Sequence, residues 1–430
     1  MTSTYLDLYQ QPASSPDEPA YRDLFMSRSE TIARIARAPR DILVVGGGIH
    51  GATFARLCAL HGLRTVLLER SDYANATSSR TSKMAHGGLR YLQQFDFAQV
   101  FQGIRARETL YKSAAHLVSP QEFCVPVSSS STLAKWKLAA GLTLYDLFVR
   151  DAARRHRWCP IEKLDSCLHE VGGEQVTGGF IFSDGIMQDV RIVLESILAA
   201  RQEGALCLNH ASVESLKVLK DGSTEVGWYD RLDKKTYELK VGTVVNCAGP
   251  WVAQVGQLRA APIATRVRYS QGVHLLFDRP WEGPAIYLPL RLPGKHYFIC
   301  PHWAGTLVGP TDREVNQPEA DPLPTSEEVD QLLSQLAQDM PQLGLTRDKL
   351  HYCYAGTRTL PVRSQSGSTA TMSRRPNWEY SSGMLNLVGG KFTTATWTVE
   401  QGFKILTKMA QVQLRKVSLR GRMLPGAAYY

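Results

Sequence analysis

Three glycines near the start of the chain have the spacing of a dinucleotide-binding turn. Gly46, Gly48 and Gly51 form the pattern G-x-G-x-x-G directly after the apolar run Asp41–Val45. Glycines so placed permit a tight turn, approach of the backbone to a pyrophosphate and close packing of helix on strand, and the following helix offers free N–H groups to the pyrophosphate. Glu69, after the next apolar run, can accept hydrogen bonds from ribose hydroxyls. These residues predict a dinucleotide site without distinguishing NAD from FAD.

A second glycine turn lies near the other end of the chain. Leu387–Gly390 leads into Lys391, Phe392 and Thr393, from which a helix is predicted. A helix that begins there can direct its positive end at the N1/O2 edge of a flavin, where Lys391 would add charge and stabilise the reduced ring. The turn therefore favours FAD, and an ordinary strand–helix turn is the alternative.

Helix and strand patterns alternate at both ends of the chain, and the middle is richer in short strands. Helices are predicted over residues 49–61, 97–117, 133–148, 189–204, 325–340 and from 393, and strands over 41–45, 65–69, 211–218, 240–246 and 384–388. Short apolar runs broken by Pro and Gly within 265–315 are typical of antiparallel sheet, and 365–382 is predicted to be a polar loop. This order predicts a cofactor domain assembled from separated segments, with a substrate domain inserted into it.

The domain boundaries follow from that order of elements. Residues 1–39 are predicted to be a polar tail and a short helix. The other segments divide between a cofactor domain (40–110, 185–265 and 350–430) and a substrate domain (111–184 and 266–349). A length of 430 residues agrees with two or three structural units.

Charge and cysteine usage restrict the classes of partner and site. The net charge of +9 fits an ordinary basic protein, an anionic substrate or an acidic membrane surface. No Lys/Arg block alternates with aromatic residues, so nucleic acid is not expected as a partner. The eight cysteines form no CxxC pair and no zinc-finger spacing with histidine, so we expect no metal site, and their scatter is typical of a reducing cytosol.

The apolar stretches are too short for a membrane span, which needs ~20 apolar residues. The nearest is Leu138–Val149, which Asp146 interrupts, and residues 1–39 lack the apolar core of a signal peptide. We therefore expect a cytoplasmic protein. Leu138–Arg157 is apolar and then basic, which allows peripheral contact with an anionic membrane; a core helix followed by a solvated basic loop is the alternative.

Two blocks resemble the flavin-facing segment of FAD-dependent glycerol-3-phosphate dehydrogenases, of the D-amino-acid-oxidase-like superfamily. They are Thr77–Lys83 (TSSRTSK) and His86–Leu92 (HGGLRYL). Further matches follow in the family's order between about residues 40 and 425: DGIMQDVR at 184–191, NCAGPW at 246–251, GPTD at 309–312, YAGTR at 354–358 and GGKFTT at 389–394. The HGGLRYL and GGKFTT blocks are specific to this family, whereas GxGxxG and AGPW belong to the wider superfamily. The family usually continues past an LPG element into a C-terminal helical domain, and here Leu424–Gly426 is followed by four residues, so we expect that domain to be lacking.

The resemblance implies a fold, a cofactor and a reaction. The fold is α/β (α+β), with a Rossmann-like FAD-binding domain of the glutathione-reductase type and an inserted antiparallel-sheet substrate domain. The reaction is oxidation of sn-glycerol 3-phosphate to dihydroxyacetone phosphate, with electrons passed through FAD to a membrane quinone or another acceptor. A flavin amine or amino-acid oxidase and a non-catalytic flavin-binding homologue are the alternatives.

The resemblance also implies a set of site residues. The substrate site would be lined by Arg90, Tyr91, Arg358, Arg374 and Lys391. Arg358 and Arg374 are the favoured phosphate ligands, because a guanidinium offers paired N–H donors. His274, in the apolar run Gly272–Phe277, is the candidate base that takes the hydroxyl proton, and His86 is its rival. A hydrogen-bonded core histidine and surface arginines are the structural alternatives.

The remaining predicted site residues would contact the cofactor. Ser78, Ser79, Thr81 and Lys83 would bind pyrophosphate or ribityl oxygens, with a polar surface loop as the alternative. Gly87 and Gly88 would let the chain pass close to the isoalloxazine ring. Val213 would present its backbone to adenine, with core packing as the alternative. The other members of the set are Leu89, Ala248 and Gly249.

Overall fold

The computed structural model describes residues 26–88, 96–129, 132–259, 263–289, 296–362, 375–410 and 417–429. The α-helices of this part of the chain are α1 (Arg28–Ala36), α2 (Ile49–Leu60), α3 (Phe97–Ser113), α4 (Thr132–Asp146), α5 (Asp189–Gln202), α6 (Val252–Gln257), α7 (Ser326–Asp339) and α8 (Ala395–Ala410).

The strands of the described part of the chain form two sheets. The strands of the first sheet are β1 (Arg40–Val45), β2 (Thr65–Leu68), β8 (Leu206–Leu208), β9 (Ala211–Val218), β10 (Thr224–Asp230), β11 (Lys235–Asn246), β18 (Asn377–Ser381) and β19 (Met384–Val388). The strands of the second are β3 (Met84–Ala85), β4 (Val118–Ser128), β5 (Arg157–Pro160), β6 (Glu170–Val171), β7 (Glu174–Met187), β12 (Val267–Phe277), β13 (Ala285–Pro289), β14 (His296–His302), β15 (Gly305–Gly309), β16 (Arg313–Val315) and β17 (Leu350–Pro361).

The first sheet is parallel at its centre and is covered on both faces. Its strand order is β18-β19-β11-β1-β2-β8, and β9 and β10 form an antiparallel ribbon on β11. The residues of β1 and β2 are almost all buried, as expected for parallel strands covered on both faces. Helices α2, α5 and α8 pack on one face, and α1 and the ribbon cover the other. The carboxyl ends of β1, β2 and β11 therefore meet at one edge, where ligands of such sheets bind.

The second sheet is antiparallel apart from the pairing of β13 with β4. Its order is β16-β12-β15-β14-β13-β4-β7-β3, with β17 on β12 and with β5 and β6 on β7. Helix α7 packs on one side of it through Val329, Leu332 and Leu336, and α3 and α4 pack on another part through a separate cluster. The long β12–β17 ladder aligns Ser270 with Arg358.

The predicted fold class is confirmed, and most predicted elements lie within a few residues of those observed. Of the two residues that the sequence offers as the cap of α7, Thr325 and Ser326, it is Thr325 that accepts a hydrogen bond from the Glu328 N–H in a capping box. Residues 375–382 were predicted as part of a polar loop, but 377–381 form strand β18, because the edge of β19 offers them an antiparallel partner. Residues 365–374 of that loop lie outside the described residues.

Strand pairing also bears on the predicted domain boundaries. Strand β17 was assigned with residues 350–430 to the cofactor domain, yet it pairs along its length with β12 of the second sheet. Strand β3 likewise pairs with β7. Both strands follow the sheet that satisfies their backbone hydrogen bonds, and the boundaries as a whole stay a prediction.

Candidate active site

A cavity of about 520 Å³ extends from the carboxyl edge of the first sheet to the second sheet. It brings together residues that are far apart in sequence. The predicted site residues on its wall are Gly46, Gly48, Glu69, Ser78, Thr81, His86, Gly88, Val213, Ala248, Gly249, His274, Arg358, Gly390, Lys391, Phe392 and Thr393. Four other predicted site residues, Leu89, Arg90, Tyr91 and Arg374, lie outside the described residues, so their roles stay predictions.

At each glycine of the first turn, a side chain would be excluded for a different steric reason. Gly46 has a φ of +107°, and a Cβ atom there would lie 2.7 Å from the carbonyl oxygen of Cys247. A Cβ atom on Gly51 would lie 1.9 Å from the carbonyl oxygen of Gly46, so the contact of helix with turn requires glycine. Gly48 has an ordinary φ of −79° and faces the cavity, with Ser78 Oγ as the nearest neighbour of an added Cβ. Gly48 is therefore the glycine whose missing side chain leaves room for a ligand.

The amino end of α2 can receive an anion. Gly48 is its N-cap and supplies no side-chain cap, and the Ile49 N–H donates to Ser78 Oγ at 3.0 Å. The helix dipole and N–H groups at such an end favour a phosphate. Beside it, Glu69 Oε2 accepts from the Gly47 N–H at 2.6 Å and Oε1 accepts from the Ser71 N–H at 2.7 Å. These bonds fix the carboxylate and leave lone pairs for ribose hydroxyls.

The second glycine turn lies near the first in the fold. Gly389 and Gly390 have φ values of +79° and +107°, in the region that favours glycine. Lys391 Nζ donates to Gln99 Oε1 of α3. Helix α8 begins at Ala395, two residues after the predicted start, and Phe392 and Thr393 line the cavity before it. The start of this helix therefore faces the same space as the start of α2.

His50 is a cavity residue that sequence reasoning missed. It is the second residue of α2, and a Cβ atom on Gly390 would lie 2.8 Å from its Nε2. Burial lowers the pKa of His50 to about 4, so the ring is neutral, and Nε2 is buried with no hydrogen-bond partner among the described residues. The sequence signal was its place between Gly48 and Gly51, where only the glycines were interpreted.

His274 lies on β12 at the other end of the cavity. Its Nε2 shares a hydrogen bond of 2.9 Å with Ser82 Oγ, and its ring stacks on Tyr354 with the centroids 4.9 Å apart. Burial, and then the nearby Arg358 and Lys83 cations, hold the pKa of His274 well below its usual value. A protonated ring is unfavourable there, so the ring is neutral in this structure and its low basicity makes it a weak acceptor for a hydroxyl proton.

Arg358 extends from β17 across the backbone of Gly272. A Cβ atom on Gly272 would lie 2.1 Å from Nη2 of the guanidinium. The guanidinium donates to Ser270 Oγ at 3.3 Å and to the Thr311 carbonyl oxygen at 3.4 Å. Because Arg358 also lines the cavity, its guanidinium could bind an anion there.

Several residues predicted to contact the cofactor have hydrogen-bond partners within the protein. Lys83 Nζ lies 2.8 Å from Asp189 Oδ1 and donates to the Ser79 carbonyl oxygen, and Thr81 Oγ1 also donates to Asp189. The reason is that Asp189 is buried and a buried carboxylate needs such partners. Lys83, Ser79, Gly51 and Gly87 do not belong to the cavity wall. Gly87 instead packs against Tyr145, because a Cβ there would lie 2.0 Å from the phenol oxygen.

Comparison with known proteins identifies related chains. The profile of the FAD dependent oxidoreductase (DAO) family matches residues 41–398. A glycerol-3-phosphate dehydrogenase of Synechocystis is 32% identical over 373 residues, covering 82% of this chain and 67% of the relative. An aerobic glycerol-3-phosphate dehydrogenase of Staphylococcus aureus is 30% identical over 359 residues, covering 82% and 64%. This chain thus spans about two thirds of the length of these relatives.

Solved structures agree with the fold. The Bacillus halodurans glycerol-3-phosphate dehydrogenase, complexed with FAD, aligns with a TM-score of 0.72 at 25% identity, covering 91% of this chain and 68% of the other. L-α-glycerophosphate oxidase of Mycoplasma pneumoniae, with FAD bound, aligns with a TM-score of 0.70 at 16% identity, covering 89% and 98%. L-proline dehydrogenase of P. horikoshii aligns with a TM-score of 0.64 at 15% identity, covering 90% and 95%. At these last two identities the likeness concerns the fold alone.

Proposed function

Because this chain belongs to the FAD dependent oxidoreductase family, we propose that it oxidises sn-glycerol 3-phosphate to dihydroxyacetone phosphate with FAD as the hydride acceptor. The observation that carries the proposal is the single cavity that joins the glycine turn at Gly48 to the guanidinium of Arg358. One end suits a dinucleotide and the other suits a small anion. Relatives named glycerol-3-phosphate dehydrogenase, at 30 to 32% identity, support the choice of substrate.

The cofactor end of the cavity fits FAD. The open side of Gly48 and the start of α2 would bind the pyrophosphate, and Glu69 would bind the ribose. The Gly390 turn and the start of α8 would face the flavin edge, where the helix dipole favours negative charge. Bound FAD supplies the hydride acceptor, and the protein supplies binding and orientation.

The substrate end requires a phosphate ligand and a base. Arg358 would bind the phosphate, and Arg90, Tyr91, Arg374 and Lys391 are the further residues proposed for this end. The proton of the C2 hydroxyl would go to His86 or His274. The low pKa of His274 favours His86 for this step, with His274 and Ser82 as hydrogen-bonding neighbours.

Oxidation of an amine or amino acid is the second candidate function. The aligned structures include L-proline dehydrogenase and a glycine oxidase, each at 15% identity, which show the fold only. The guanidinium of Arg358 on the cavity wall favours a phosphorylated substrate over an amine, because a guanidinium offers paired N–H donors to a phosphate. A non-catalytic flavin-binding homologue is the remaining alternative.

Anaerobic mixing with glycerol 3-phosphate separates these candidates. We expect the FAD-loaded protein to lose its visible flavin absorbance on mixing with glycerol 3-phosphate and to keep it with glycerol, glycine or proline. Bleaching by an amino acid alone would establish the second candidate, and no bleaching by any of them would contradict an oxidase function.

We propose a quinone or another diffusible carrier as the electron acceptor. Mixing the reduced protein with ubiquinone analogues or dyes would test this proposal by return of the flavin absorbance.

We also propose that the protein lies in the cytoplasm and contacts an anionic membrane surface through α4. The helix buries Leu142 and Tyr145, but on its opposite side Trp136 is 70% exposed and Leu144 is 42% exposed; Leu147, just beyond its end, is 72% exposed. The exposed basic residues near this apolar face are Lys137, Arg150 and Arg155. Apolar side chains beside cations are suited to the interface of anionic lipid. No helix among the described residues is long and apolar enough to cross a bilayer.

Replacing Trp136 and Leu147 by serine is expected to weaken binding to anionic liposomes about tenfold, because two apolar side chains no longer enter the interface. The measurement is flotation of the FAD-loaded protein at low and high salt. Binding of the wild type is expected to fall as salt rises, since salt screens the cations. Trp303→Ser, on the exposed turn after β14, is the matched control, and equal loss in this control would contradict the assignment to α4.

A further inference from the structure

A buried ion pair joins Arg107 to Asp184, and Asp184 belongs to the wall of the cavity. Arg107 of α3 has no exposed surface, and its Nη1 donates to Asp184 Oδ1 at 2.7 Å and to the Ser183 carbonyl oxygen at 2.8 Å. Tyr145 of α4 donates its hydroxyl to the same carboxylate oxygen at 3.1 Å. Such a pair is costly to desolvate and often contributes little to stability, so its presence calls for another reason.

The backbone of the His86–Gly88 segment is hydrogen-bonded to this carboxylate. The Gly87 N–H donates to Asp184 Oδ1 at 2.8 Å, so three donors converge on one oxygen. The two flanking residues, His86 and Gly88, line the cavity. The carboxylate therefore acts on the cavity wall through the backbone between them.

Steric contacts restrict the same segment from behind. A Cβ atom on Gly87 would lie 2.0 Å from the Tyr145 phenol oxygen, and a Cβ atom on Gly103 would lie 2.6 Å from the Gly87 carbonyl oxygen. A side chain at Gly87 would therefore clash with α4, and a side chain at Gly103 of α3 would clash with Gly87. The hydrogen bond from the Gly87 N–H to Asp184 also fixes the segment. Without an acceptor, the buried Gly87 N–H would have to move to find another partner.

We propose that Asp184 is a positioning residue whose carboxylate, held by Arg107 and Tyr145, fixes the His86–Gly88 segment in the place required for flavin reduction. The proposal rests on the proposed function and adds to it a determinant of the rate that acts through the backbone of the cavity wall. Asp184 acts here through Gly87, so it should affect the limiting rate of flavin reduction more than the dissociation constant of the substrate.

Two double variants isolate this hydrogen bond. Arg107→Met with Asp184→Asn removes both charges and keeps an acceptor for the Gly87 N–H. Arg107→Met with Asp184→Leu removes both charges and the acceptor, with a side chain of similar shape. The measurements on FAD-loaded protein are thermal unfolding, FAD content, visible circular dichroism of the flavin, and the rate of anaerobic flavin reduction over a range of glycerol 3-phosphate concentrations.

We expect the leucine variant to have a limiting rate about tenfold to a hundredfold below that of the asparagine variant, as one unsatisfied buried N–H would cause. The flavin dichroism should differ between them, and the substrate dissociation constant should change less than the rate. Equal rates and equal dichroism in the two variants would overturn the proposal. If neither double variant folds, Tyr145→Phe carries the test: a several-fold lower limiting rate supports the proposal, and an unchanged rate and dichroism overturn it.

Failure of the proposed function gives a different result. If the wild type is not reduced by glycerol 3-phosphate, the substrate assignment is wrong, whatever the variants do. The flavin dichroism of the two double variants still reports the position of the His86–Gly88 segment without any substrate, and equal spectra would then overturn the inference about Asp184.

Discussion

A Gly48→Val variant is expected to fold and to purify without FAD. The φ of −79° at Gly48 is open to valine, and the nearest atom to an added Cβ is Ser78 Oγ at 3.0 Å, which can rotate away. The new side chain would instead occupy the space in which the pyrophosphate approaches the backbone. The measurement is visible flavin absorbance after incubation with excess FAD, beside thermal unfolding of both apoproteins. Full FAD content in a folded Gly48→Val protein would contradict the assignment of this turn.

Gly51→Ala is the matched control for that experiment. Its Cβ atom would lie 1.9 Å from the Gly46 carbonyl oxygen, a backbone atom that cannot rotate away. We expect this smaller substitution to destabilise the protein itself, because α2 can no longer pack on the turn. The two variants thus separate loss of the ligand from loss of the fold. If Gly51→Ala were as stable as wild type, the described packing of α2 would be wrong.

Replacing Arg358 by alanine is expected to lower kcat/KM for glycerol 3-phosphate about tenfold to a hundredfold. A charge-assisted bond to a partly buried anion contributes roughly 1.5–3 kcal/mol, and each ~1.4 kcal/mol corresponds to a factor of ten in rate. FAD content should not change, because Arg358 is assigned to the substrate and not to the pyrophosphate. Steady-state kinetics with a dye acceptor, beside flavin content, measure both effects.

Three comparisons sharpen the test of Arg358. Arg358→Lys should be nearly as slow as Arg358→Ala, since an ammonium cannot reproduce the paired donors of the guanidinium. Gly272→Ala should cause part of the same loss. Its Cβ atom would lie 2.1 Å from the present position of Arg358 Nη2, so the guanidinium would have to move. Turnover of glycerol, which lacks the phosphate, should change little in any of these variants. If Arg358→Ala lost FAD or slowed glycerol equally, the phosphate assignment would be wrong.

The amino-acid sequence by itself determined the cofactor end of the site. Gly46, Gly48, Gly51 and Glu69 were recognised because a strand, a turn and a helix adjacent in sequence form the dinucleotide site locally. The Gly389–Gly390 turn was found for the same reason. The alternation of helices and strands also sufficed for the fold class, because it reflects local periodicity and the packing that such elements require.

Only the tertiary structure decided the contacts between distant segments. Lys83 was predicted to contact the cofactor, but its ammonium pairs with Asp189, more than a hundred residues away in sequence, because burial of that carboxylate requires a cation. The convergence of Arg107 on Asp184 has the same cause and left no local signal. Strand β17 lies in the second sheet because its backbone N–H and C=O groups form hydrogen bonds with those of β12. Such pairings depend on which buried polar groups meet in space, and sequence spacing does not specify that.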